Sequence, residues 1–184
     1  MLPENKITKL FDYFRKNNSK NKGKLTQEQV DSINAILEVF YIYDTDVYKL
    51  AYILATTKWE SAHTILPIEE YKWYNRWYAK INPKTGKRYY GRGFVQLTHY
   101  NNYLRFSNLL KLDLVYHPEK ALETKTAAII LVRGMLEGLF TGVSLKKYIN
   151  NNPTNYFSAR KTVNGLDKAE NIRIIALEIL NIIK

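Results

Sequence analysis

Apolar side chains recur along the chain in helical stripes separated by polar strings. Leu10, Phe11 and Phe14 predict a short first helix, which runs out in the loop Lys16-Asn-Asn-Ser-Lys-Asn-Lys-Gly23. Thr26-Gln-Glu-Gln29 has the form of a capping box, in which hydroxyl and amide each satisfy a free backbone N–H. Val30, Ile33, Leu37, Phe40 and Tyr41 follow on one face of a second helix. Asp44-Thr-Asp46 predicts the next cap, and Val47, Leu50, Ala51, Leu54, Ser61 and Ala62 the buried stripe of a third helix. From Tyr71 to Tyr90 the period is lost. There Trp73, Trp77 and several tyrosines precede Asn82-Pro-Lys-Thr-Gly86, a turn former between two segments able to pair as a small antiparallel hairpin.

Helices return at residues 103 to 110 and 124 to 139, with a short one capped by Ser144. A further one, over residues 157 to 163, stops at Asn164-Gly165, both tolerant of left-handed backbone angles. Asp167-Lys-Ala-Glu170 is a capping arrangement ahead of Ile172, Ile175, Ala176, Ile179, Leu180 and Ile183, a strongly apolar stripe. The predicted class is mainly α with a small β-hairpin or sheet (α+β). No repeat and no long interior linker divides the chain, so one domain is expected over residues 1–184, with 1–24 packing on it as a helix and loop.

Composition narrows the function classes. At 184 residues and 46% hydrophobic, the chain suits one substantial core. Its longest aliphatic run, Ala127-Ala-Ile-Ile-Leu-Val132, is far short of the roughly 20 residues that span a bilayer. The amino terminus has no basic segment, apolar stretch and cleavage site in series, so no signal peptide is expected, and an extracellular target would need another route of export. Cysteine is absent, and His63, His99 and His117 lack metal-site spacing, so neither metal nor cofactor is expected. A net charge of +11 favours encounter with polyanions: nucleic acid, acidic lipid or an anionic bacterial wall. Scattering of Lys and Arg from Lys6 to Lys184 argues against nucleic acid, and a generally solvated basic surface explains the charge equally well.

Chemistry enters with carboxylates. Hydrolysing a glycosidic bond with inversion needs a protonated carboxyl for the leaving oxygen and an ionised one that activates water on the opposite face. Glu60, beside Trp59 on a packed helix, is the better candidate for the acid, since partial desolvation disfavours a charged carboxyl; Glu70 or Glu69, in the more polar segment beyond, would be the base. Two acids alone arise often by chance. Downstream, however, Gly91 and Gly93 permit close backbone approach and lead into Phe94-Val-Gln-Leu-Thr98, read as a short extended piece with Gln96 and Thr98 on one side. Tyr89, Tyr90 or Trp77 would stack on pyranose faces, although each alone is as well explained by core or hairpin packing.

The string Gly91-Arg-Gly-Phe-Val-Gln-Leu-Thr-His-Tyr-Asn-Asn-Tyr103, preceded by Lys-Arg-Tyr-Tyr, resembles the signature of family 19 glycoside hydrolases, the chitinase family that also contains many phage endolysins. Leu25-Thr-Gln-Glu-Gln-Val-Asp-Ser-Ile-Asn-Ala-Ile-Leu37, Pro67-Ile-Glu-Glu70 and Ala159-Arg-Lys-Thr-Val-Asn-Gly165 are closest to its phage and prophage members. The resemblance implies a lysozyme-like fold, inversion, and a monomer acting on peptidoglycan strands or on chitin, with no nucleic-acid partner and no membrane insertion. By position it gives Glu60 the general-acid place, Glu70 the general-base place with Glu69 as the alternative, and Thr98 the water-fixing hydroxyl. Gln96, Asn102 and Asn164 take substrate-contacting places. Trp59 stands where the family usually has histidine, a departure that raises the reading of a glycan-binding relative without activity. Asp167 stands for a family carboxylate that supports the acid through an arginine, here either Arg160 or Arg173.

Overall fold

A computed structural model describes residues 1–18, 22–71, 73–150 and 154–184, and of Trp73 the backbone alone. Part of the loop expected at 16 to 23 and the side chain of Trp73 therefore lie outside the described residues. Among the described residues seven helices make the frame: α1 (Glu4–Lys16), α2 (Gln27–Tyr43), α3 (Val47–Glu60), α4 (Tyr100–Leu110), α5 (Thr124–Glu137), α6 (Tyr156–Ala159) and α7 (Ala169–Ile183). Two short strands, β1 (Ile68–Glu69) and β2 (Arg92–Gly93), pair antiparallel with Ile68 opposite Gly93 and Glu69 opposite Arg92.

Helix α3 is the centre of the molecule. A one-sided stripe was expected, but the helix is enclosed all round from Leu50 to Lys58, because α7, α5 and α2 all pack against it. Ser61 is fully buried as expected; Ala62 is exposed, because the chain leaves the helix at Glu60. Leu10 and Phe14 of α1 join the same apolar cluster as Ile33, Phe40, Leu54, Leu131 and the full stripe of α7. Truncating a side chain so enclosed, Leu54→Ala for instance, costs about 2–5 kcal/mol.

The capping box at α2 is present, with Gln29 N–H donating to Thr26 Oγ1 and Thr26 N–H to Gln29 Oε1. The same buried Gln29 amide accepts from Asn18 at 3.0 Å and donates to the Thr64 carbonyl at 2.6 Å. One side chain thus ties the end of α1 and the start of α2 to the loop beyond α3. Three other expected termini differ. Ser144 precedes a 3-10 turn, Leu145–Lys147, and makes no side-chain cap there. Neither Asn164 nor Gly165 has a left-handed angle; Asn164 Oδ1 accepts the Gly165 N–H instead. At α7 no side chain caps, and Lys168 turns the chain through a left-handed angle.

The small sheet forms outside the segment expected to build it. Asn82 makes its turn, accepting the Lys84 N–H on its side chain and the Gly86 N–H on its carbonyl. The flanks are 3-10 turns at Trp73–Asn75 and Trp77–Ala79, with Tyr71, Tyr74 and Trp77 exposed, so no buried face favours a ladder there. Pairing falls to the ends of the excursion, where Gly93, at φ +86°, passes the Ala121 carbonyl so closely that a Cβ would lie 2.9 Å from it.

Burial raises the phenols of Tyr13, Tyr52, Tyr103 and Tyr156 above their ordinary value. The folded protein therefore holds protons that the unfolded chain releases at about pH 10, so stability is unaffected below that pH and falls as pH rises above it. Urea unfolding across alkaline pH, followed with phenolate absorbance, should show both effects together. Full ionisation of these phenols near pH 10 in the still-folded protein would contradict the sign.

Candidate active site

Tyr52, Thr56 and Glu60 recur every four residues and line one face of α3, leading from the core to its last residue. A carboxylate at a helix C-terminus meets the unfavourable end of the helix dipole. Arg160, the first residue of the 3-10 turn that continues α6, supplies the compensation, its Nη1 lying 2.5 Å from Glu60 Oε1 with side chains 4% and 18% exposed. The contact is an ion pair without hydrogen-bond alignment. Arg160 Nε donates to the Asp167 carbonyl at 3.1 Å. Arg173 is not the supporting arginine, since it pairs with Glu170 in solvent. Asp167 contributes its backbone rather than its carboxylate.

Beyond Glu60 the chain turns through left-handed angles at Ala62, His63 and Ile65. Buried Ser61 holds this turn, its Oγ accepting the Ile65 N–H and its carbonyl the Thr64 hydroxyl.

Facing Glu60 is the hairpin turn after β2. Residues 94 to 96 are a turn rather than an extended piece, closed by the Arg92 and Leu97 backbone pair, with Gln96 at φ +56°. The Gln96 amide donates to the carbonyls of Ile68 and Gly93, fastening the turn to β1. Gly91 leaves room for this amide, because a Cβ there would lie 2.6 Å from Gln96 Oε1 and push the side chain aside. Thr98 donates to the Gln96 carbonyl and Asn102 to the Thr98 carbonyl, a chain of short bonds that orients all three. Glu60, Gln96, Thr98, Asn102 and Asn164 together line a cleft of about 340 Å³, with Val95, Leu97, His99, Phe140 and Val163.

Glu70, Glu69 and Tyr90 do not line that cleft. Glu70 lies just past β1, its carboxylate receiving the Tyr78 hydroxyl at 2.5 Å, Arg76 Nε at 3.1 Å and the Gly91 N–H at 3.1 Å. Burial, followed by the hydrogen bond to Glu70, pushes the Tyr78 phenol up to about 12, so it stays a donor through neutral pH. The Tyr78 ring packs 5.3 Å from the cleft-lining His99, linking Glu70 to the rim. Glu69 instead accepts from Tyr90 and buried Arg92, whose guanidinium also donates to the Arg88 carbonyl and the Tyr103 hydroxyl.

The expectation that Tyr90 offers a stacking face fails, since its buried ring lies under the Arg92 guanidinium at 3.7 Å. Tyr89 is buried too, bonded to Val115 and Thr85. Trp77 alone of the three is open, 76% exposed, with its ring 6.2 Å from His99. Trp59 packs edge-on to His63 and is not part of the cleft lining.

Sequence reasoning did not single out Tyr78, Arg76, His99 or Phe140, and left Arg160 one of two choices. For Arg160 a signal existed, because it precedes Asn164 by one helical turn in a motif already noticed.

The helices around a cleft edged by a two-strand sheet define a lysozyme-like fold, the one seen in solved family 19 chitinases. Chitinase C from Streptomyces griseus HUT6037 superposes with a TM-score of 0.69 at 20% identity, covering 95% of this chain and 90% of that one. A bacterial family 19 chitinase gives a TM-score of 0.67 at 18% identity over 95% and 93% of the two chains. The chain matches no family model and no curated protein sequence.

Removing one member of a paired buried charge leaves the other uncompensated. Arg160→Ala should therefore lower unfolding free energy by about 3 kcal/mol, the low end for such breaks because Glu60 keeps some solvent. Asp167→Asn should stay within about 0.5 kcal/mol, as only its backbone makes the contact. Denaturant titration of both variants checks the contrast; equal losses would return the role to the Asp167 carboxylate.

Proposed function

We propose that the protein is an endolysin-type glycoside hydrolase that cleaves β-1,4-glycosidic bonds of bacterial peptidoglycan by inversion. The observation that carries this reading is the partly exposed Glu60 carboxylate, facing a hydroxyl and amides from Thr98, Gln96, Asn102 and Asn164 across one cleft. Arg160 lies against Glu60 Oε1, so Oε2 is the oxygen on which Glu60 takes up a proton before passing it to the departing glycosidic oxygen. Glu70 serves as the base. Tyr78 and Arg76 approach one of its oxygens and the Gly91 N–H the other, so its charge is compensated and its orientation fixed while further lone pairs remain for water. Thr98, which lines the cleft and spends its hydroxyl proton on the Gln96 carbonyl, has lone pairs left to accept from that water. The protein would act as a monomer on the wall after synthesis in a host cytoplasm and release.

A second reading, hydrolysis of chitin, is favoured by the chitinase names of the similar solved structures. Both polymers carry N-acetylglucosamine, so cleft amides suit either. A third reading, a glycan binder without activity, rests on Trp59 standing where the family usually has histidine; turnover on purified sacculi would dismiss it.

Glu60→Gln should lower hydrolysis of purified sacculi by about 10²–10⁴-fold while circular dichroism and unfolding remain those of a folded protein. Parallel assays on chitin, with identification of the new reducing sugar, separate the two substrates. Parental activity in this variant would remove Glu60 from its role.

Glu70→Gln should give a fall of comparable order, whereas Glu69→Gln should act mainly on stability by freeing buried Arg92. Measuring kcat and unfolding for the pair checks the assignment. A larger kcat loss at Glu69 would reverse it.

A further inference from the structure

Resting on the reading of the cleft as a glycan site, we infer that the lobe beyond Glu70 is a contact surface for anionic groups carried by the bound wall strand, so that acidic glycan is engaged in preference to neutral glycan. Basic residues are spread along the chain, but acidic ones are not. Residues 71 to 112 hold nine of the 28 lysines and arginines and none of the 17 acidic residues. Nearly all of the net +11 therefore sits in that one stretch, which also builds one wall of the cleft.

Part of this charge is spent internally. Arg76 pairs with Glu70, Arg92 with Glu69, and Arg88 and Arg105 bond the carbonyls of Ala79 and Leu139. Lys80, Lys84 and Lys87 are different. Among the described residues no carboxylate lies within 4 Å of any of them, and Glu119 is the acidic residue that feels Lys87 at longer range. Lys80 and Lys84 are exposed and Lys87 half-buried.

These lysines flank the Asn82 turn, and Lys80 directly follows the 3-10 turn that presents exposed Trp77 beside His99 on the cleft rim. A strand leaving the cleft past His99 would meet the exposed Trp77 ring and the adjoining Lys80, with Lys84 and Lys87 following in the Asn82 turn. A neutral polysaccharide gains nothing from the lysines. A strand bearing carboxylates on attached acids or peptides, or phosphates on attached polymers, gains one pairing for each charge it brings, screened over a Debye length of about 8 Å at physiological salt.

The test is co-sedimentation of the parent and a Lys80→Gln, Lys84→Gln, Lys87→Gln triple variant with purified sacculi, with sacculi stripped of phosphate polymers by hydrofluoric acid, with chitin and with duplex DNA. All three sites lie on the surface, and an unchanged thermal midpoint shows that folding is intact. The parent should bind sacculi with an affinity that falls from about 50 mM to about 200 mM salt, and the variant about tenfold more weakly with a shallower salt slope. Binding to chitin should be the same for both proteins.

Lysine-dependent binding retained on stripped sacculi assigns the contact to carboxylates of the strand, and loss on stripping assigns it to the phosphate polymer; either supports the surface. Equal binding of sacculi by parent and variant overturns it, as does lysine-dependent binding of DNA tighter than that of sacculi. Because binding is read without turnover, a parent that binds through these lysines yet hydrolyses neither glycan would remove the hydrolase reading and leave this one standing.

Discussion

A carboxylate and a guanidinium one hundred residues apart in sequence meet at the end of α3, and most of the candidate site follows from that pair. Charges taken out of water repay their desolvation only when geometry holds them together. Glu60 is fixed by the most enclosed helix in the fold, and Arg160 by its bond to the Asp167 carbonyl just before α7. Since α7 packs along α3, the contacts close into a ring that runs from α3 through Glu60, Arg160, Asp167 and α7 back to α3. Asn164 sits within that ring, which is how a loop residue comes to face Glu60 across the cleft.

A second buried arginine organises the opposite wall. Arg92 lies between the Tyr90 ring and the Tyr103 hydroxyl and takes Glu69 as its anion. Neighbouring residues in extended chain point to opposite sides. With Glu69 committed to Arg92, Glu70 turns toward Tyr78 and Arg76. Adjacent glutamates thus divide into one that holds the sheet through Arg92 and one held by Tyr78, Arg76 and the Gly91 N–H. Glycine stands on both sides of Arg92: Gly91 leaves space for the Gln96 amide, and Gly93 in β2 is needed to pass the Ala121 carbonyl.

The helical frame was legible because each helix carries a local signature: the capping box at α2, the Asp46 cap at α3, and the apolar stripe of α7. The cleft residues Glu60, Gln96, Thr98, Asn102 and Asn164 were legible through the string from Gly91 to Tyr103 and the late Asn-Gly pair. What escaped depends on contacts between distant segments. No local pattern says that Tyr90 will be covered by Arg92, that Tyr78 will reach Glu70, or that strands will pair at the ends of the aromatic excursion rather than beside its turn. The hairpin expectation failed for a related reason: aromatic residues raise strand propensity only where one face can be buried, and here several point into solvent.

Backbone strain marks the same place by an independent route. Among the described residues eight other than glycine adopt left-handed angles; three of them, Ala62, His63 and Ile65, directly follow the cleft-lining Glu60, and two, Gln96 and His99, line the cleft themselves. Each such angle costs about 1–3 kcal/mol and persists only where surrounding contacts over-determine it. Those contacts are visible in the Ser61 hydroxyl under the turn after Glu60 and the Gln96 amide across the turn after β2. Glycine would relieve the strain, but at position 96 it would also remove the amide that fastens the turn to β1. The chain therefore keeps side chains where the backbone alone would favour their absence. That is the expected outcome when the position of a side chain in the cleft matters more than the stability of the turn that carries it.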